Sequence, residues 1–92
     1  MQGEPLPVRD DVDARLRGLL ADVLGLSGEQ VAGFEDSTEL FGALPEFDSL
    51  AVANFLTGFE ERFGVLIDDD DVSAEDFSTF QALLGFARRV GG

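Results

Sequence analysis

Asp48-Ser49-Leu50-Ala51-Val52-Ala53-Asn54-Phe55-Leu56-Thr57-Gly58-Phe59-Glu60-Glu61-Arg62-Phe63-Gly64 is the stretch on which the fold turns. Leu50, Ala53, Leu56, Phe59 and Phe63 recur at three- and four-residue steps, the period of one helical face, and predict a helix from Leu50 to Phe63. Asp48 or Ser49 is suited to cap its first amides, and Gly64 to end it.

Upstream, Val12, Leu16, Leu19, Leu20 and Val23 lay out a second such face. Asp10 or Asp11 is placed to cap it, Gly25 to end it in a left-handed turn, and Leu26 to make the apolar contact that accompanies such a stop. Residues 27–47 show no sustained period. Within them Ser27-Gly28-Glu29-Gln30 has the spacing of a capping box and predicts a short turn before Gly33; Thr38 to Phe41 is expected to add another. A connection this long in a small domain tends to be functional, and Phe34, Leu40, Phe41 and Leu44 are expected to pin it to the core.

Downstream, Val65-Leu66-Ile67 reads as an apolar connector and Asp68 to Asp71 as an exposed acidic run. Ser73-Ala74-Glu75-Asp76 fits the start of a brief third helix. Phe80, Leu83, Leu84 and Ala87 share a face of a fourth that begins at Thr79 and ends at Gly91, with Arg88 and Arg89 where the helix dipole favours cations. The expected fold is all-α, a four-helix bundle with a long loop between the first two main helices and a short third helix. Residues 1–7, which hold two of the three prolines, are expected to form a flexible arm before a single domain over residues 8–92.

A chain of 92 residues has interior enough for one core, and 45% hydrophobic content with nine phenylalanines argues against a disordered acidic tail. Nineteen acidic residues face six basic ones, all arginine, for a net charge of −13. That field repels nucleic acid and anionic lipid and favours encounter with basic protein surfaces; like charge also makes a monomer the default. Lacking cysteine and histidine, the chain has no disulfide, no thiol nucleophile and no zinc knuckle, and it lacks the commonest general base. No apolar run approaches the roughly 20 residues that span a bilayer, and Met1 to Pro7 does not open like a secretory signal, so a cytoplasmic location is expected.

Asp48-Ser49-Leu50 admits a plain reading, in which two good N-cap residues satisfy backbone amides, worth about 1 kcal/mol. Nucleophilic catalysis by Ser49 is disfavoured, because no histidine can serve as base and no Gly-x-Ser-x-Gly elbow surrounds it. The aspartate run invites a calcium loop, but counting from Asp68 puts Ser73 at the sixth position and Thr79 at the twelfth, where glycine and glutamate are needed. Phe55, Phe59, Phe63, Phe77, Phe80 and Phe86 read first as core.

In order along the chain stand Leu40-Phe41-Gly42, Phe47-Asp48-Ser49-Leu50, Phe59-Glu60-Glu61-Arg62-Phe63-Gly64, Ile67-Asp68 and Phe80-Gln81-Ala82-Leu83-Leu84. Together with the first amphipathic helix, this series resembles the acyl carrier protein family over nearly the whole chain. The resemblance implies a non-catalytic carrier whose Ser49 receives 4'-phosphopantetheine from coenzyme A through a phosphopantetheinyl transferase, with Asp48 helping to orient that enzyme and Leu50 packing beneath the serine. It implies partner enzymes with basic docking patches, met by Glu46, Asp48, Glu60 and Glu61 and by a less charged surface of Ala51, Asn54 and Phe55. It also implies shelter for the acyl chain between helices, with Phe55, Leu56, Phe59, Ile67, Phe80 and Leu84 as lining and a small or closed cavity when nothing is attached.

Two departures stand out. Carriers of fatty acid synthesis usually place acids directly after the Asp-Ser-Leu motif and three positions further on, where this chain has Ala51 and Asn54. A dedicated partner set is expected, and Leu44-Pro45-Glu46-Phe47-Asp48-Ser49-Leu50 is similar to stand-alone carriers of bacterial exosortase systems. Aminoacyl carriers use the same arm, and a non-covalent acidic interaction module remains the alternative from the residues alone.

Overall fold

The computed structural model describes residues 11–91; the expected arm over residues 1–7 lies outside them. Four α-helices, α1 (Asp11–Leu24), α2 (Gly28–Ala32), α3 (Ser49–Phe63) and α4 (Phe80–Val90), are joined by loops and by two 3-10 turns, Asp69–Asp71 and Ala74–Phe77. The short third helix of the sequence reading is the second 3-10 turn, and the short turn after Ser27 is α2.

Local chemistry sets the boundaries. Gly25 and Gly64 take φ of 69° and 68°, a left-handed conformation that a side chain would strain, and they end α1 and α3. Leu26 N–H then folds back to the Ala21 carbonyl at 3.0 Å, and Gly64 N–H to Glu60 at 2.9 Å. Ser27 and Gln30 form the reciprocal cap that starts α2, Asp48 caps α3, and Thr79 Oγ1 caps α4 by accepting from Ala82 N–H at 3.1 Å.

The core takes Leu16, Leu19, Leu20 and Leu24 from α1, Phe55 and Phe59 from α3, Leu83, Phe86 and Ala87 from α4, and Phe47 and Phe77 from the segments between. Phe77 meets Phe47 and Phe55 edge-on, with ring centroids 5.7 Å apart in both pairs, and Phe59 meets Phe86 at 5.5 Å. Contacts of this geometry add about 0.5–1.5 kcal/mol each beyond the area they bury.

Thr38 to Phe41 does not add a helical turn. The segment is extended and pairs with the chain entering α4: Leu40 and Phe41 donate to the carbonyls of Ser78 and Phe77 at 2.9 and 2.8 Å, and Phe80 and Gln81 donate to Thr38 and Asp36 at 2.8 and 3.0 Å. Leu40 is thereby fully buried, whereas Phe41 points outward and stays partly exposed.

Exposed ion pairs such as Arg15–Asp11 and Arg62–Asp22 offset little of the negative excess. Millimolar magnesium or added salt is therefore expected to raise the melting temperature by a few degrees, since about 1 kcal/mol of relieved repulsion moves a domain of this size by roughly 4–8 °C. An unchanged melting curve in both would show that self-repulsion does not limit the fold.

Candidate functional site

Ser49 is the first residue of α3 and its side chain is exposed. Its position follows from Asp48, whose backbone is extended and whose Oδ1 accepts the Ala51 N–H at 2.9 Å. The first intrahelical hydrogen bond is Val52 N–H to the Asp48 carbonyl, also 2.9 Å. The amides of Ser49 and Leu50 precede it, so the positive end of a fifteen-residue helix faces the serine. A negatively charged group on Ser49 would be stabilised there.

Beside Ser49 a groove of about 290 Å³ runs between α3 and the segment entering the second 3-10 turn. Phe41, Val52, Leu56, Val72 and Phe77 line it with apolar surface, and Ser49, Ser73 and Ala74 complete it. Of the residues expected around an acyl chain, only Leu56 lines this groove. Phe55, Phe59, Phe80 and Leu84 are buried in the core, and Ile67 packs partly buried against it. Phe77, wedged between Phe47 and Phe55, forms the floor that separates groove from core.

The expected docking residues divide. Glu46, Asn54 and Glu61 are exposed, but Ala51 and Phe55 are 7% and 0% exposed and turn inward, so neither can meet a partner. Glu60 is partly buried and its Oε2 accepts the Ile67 N–H at 2.8 Å, which ties the connector back to α3. Leu50 does not pack beneath the serine; at 70% exposure it projects into solvent. Ala53 and Thr57, which were not among the expected docking residues, are exposed on the same side, three and seven residues further on.

Among the described residues no group of three or more histidine, cysteine, aspartate or glutamate side chains is arranged to hold a metal ion, and no helix is long and apolar enough to cross a membrane.

Comparisons with known proteins converge on this serine-bearing fold. The model of the family described as "Phosphopantetheine attachment site" matches residues 14–87. The chain is 38% identical over 60 residues to an acyl carrier protein of Nitratidesulfovibrio vulgaris strain DP4, covering 65% of this chain and 74% of that protein. It is 37% identical over the same length to that of strain DSM 19637 / Miyazaki F, with the same coverage. The solution structure of a holo acyl carrier protein from Nitrosomonas europaea superposes with a TM-score of 0.75 at 40% identity, covering 88% of this chain and 95% of that one.

Proposed function

Because the chain belongs to the acyl carrier protein family, we propose that Ser49 is the residue on which it carries covalent 4'-phosphopantetheine, placed there by a phosphopantetheinyl transferase. The observation that carries this reading is the Ser49 hydroxyl itself, exposed on the first turn of α3 at the edge of an apolar groove. Bound phosphopantetheine supplies the thiol that this cysteine-free chain lacks, and with it a thioester linkage to acyl groups.

The chain's own residues have supporting parts. Asp48 fixes the helix start, while the Ser49 and Leu50 amides and the helix dipole stabilise a phosphodiester charge. Val52, Leu56, Val72 and Phe77 offer apolar surface on which each sheltered methylene gains about 0.8 kcal/mol. The chemistry at the thioester falls to the enzymes that the carrier visits as a cytoplasmic monomer.

Incubation with coenzyme A, magnesium and a broad-specificity phosphopantetheinyl transferase should add one phosphopantetheine mass, recovered on the peptide that contains Ser49. A protein that stays at its original mass would be a non-covalent acidic module instead.

A further inference from the structure

From Ser49 to Phe59, α3 carries no ionisable side chain, in a protein of net charge −13. Its outward face there is Leu50, Ala53, Asn54 and Thr57. The opposite wall of the groove, Val72 to Phe77, continues from an acidic run in which Asp68, Asp70 and Asp71 are exposed, and Glu75 is exposed within it. Arg89 reaches that wall, at the Asp71 carbonyl (3.3 Å) and Asp76 (3.8 Å). Apart from Asp48, whose Oδ1 is engaged by the Ala51 N–H at the helix start, Ser49 thus lies between a neutral apolar wall and a negative one. Glu61, the free acid of α3, is twelve residues on, about 18 Å along the helix axis.

A partner cation pressed onto the neutral face would lose water and gain no counter-charge, whereas across the groove it gains one. Resting on the attachment reading, we propose that a phosphopantetheinyl transferase acting on Ser49 lays an uncharged, apolar surface over Leu50, Ala53 and Asn54. Its basic residues lie across the groove, against Asp70, Asp71 and Glu75. The electrostatic contact is thereby displaced from α3 to the acidic wall.

The test measures kcat/KM for holo-protein formation against ionic strength, with a broad-specificity transferase and coenzyme A. Asp70→Asn/Asp71→Asn/Glu75→Gln should lose on the order of tenfold at low salt and show a flattened salt dependence. The charge-matched Glu29→Gln/Glu35→Gln/Asp36→Asn, on α2 and the turn beyond it, should stay within about twofold of the parent. Asn54→Asp supplies the sign: it should slow modification, because it sets a charge under an apolar surface. A faster Asn54→Asp protein, or equal losses from the two triples, overturns the proposal. A parent protein that takes up no phosphopantetheine overturns the attachment reading, while normal modification of every variant overturns the docking geometry alone. Circular dichroism melts confirm that each variant is folded.

Discussion

Ser49→Ala is expected to melt within about 3 °C of the parent and to gain no mass at all with coenzyme A and transferase. The two halves of that outcome have separate causes. The serine side chain is exposed at the first helical position, where alanine has a slightly higher helix propensity and where the cap comes from Asp48, so stability should move by no more than about 0.5 kcal/mol. On the proposed reading the loss of modification is complete, because the Ser49 hydroxyl is then the attachment atom. Ser73 is the informative competitor, since it lines the same groove. Its Oγ, however, donates to the Asp76 carboxylate at 3.5 Å, which also accepts the Ser73 N–H at 2.9 Å, at the start of a four-residue 3-10 turn with little dipole to offer an anion. Residual mass gain in Ser49→Ala, mapped to Ser73, would move the attachment site to the other wall of the groove.

Helix ends were legible because the chemistry that sets them is local. Asp48 and Thr79 cap, Ser27 and Gln30 reciprocate, and Gly25 and Gly64 close, all within a few residues of sequence. The position of Ser49 at the start of α3 was legible for the same reason. Which way α3 faces was not. Over its first turns the helix carries no charge and only scattered polar residues, so Leu50-Ala53-Leu56 and Ala51-Phe55-Phe59 are both acceptable stripes by period alone. Volume chose between them: the core already holds Phe47, Phe77 and Phe86, and Phe55 and Phe59 complete that aromatic cluster, which turns Leu50 out and Ala51 in. That single rotation accounts for the misplaced docking residues Ala51 and Phe55. The groove was missed for a different reason. Its walls come from segments that only tertiary pairing brings together, Phe41 through the hydrogen bond of its N–H to the distant Phe77 carbonyl and Val72 from beside an acidic run.

Arg17 was equally invisible to pattern, and its removal should produce the largest loss of stability of any single exposed-looking residue. The side chain is buried on α1, its Nε donates to Asp13 Oδ1 at 2.6 Å, and its Nη1 donates to the Val31 and Phe34 carbonyls, the latter at 3.1 Å. The guanidinium carbon lies 4.4 Å from the centroid of the Phe80 ring. One group thus joins α1, the end of α2, the start of the long loop and α4. Arg17→Met keeps much of the packing volume but removes every donor, and hydrogen bonds to a charged group are worth about 1.5–3 kcal/mol each when buried acceptors are left behind. The Val31 carbonyl retains the Phe34 N–H and Asp13 sits in the first turn of α1, where the dipole favours an anion, so the losses do not simply add. A net cost of about 3 kcal/mol is expected, on the order of 15 °C in melting temperature and a large share of the margin of a domain this small. Lysine at the same position should fall between the two, since it keeps the charge but not the forked donors or the planar stack. If Arg17→Met melts within about 3 °C of the parent, the long loop is held by Leu40 and its pairing with residues 77–79, and the buried guanidinium contributes nothing net.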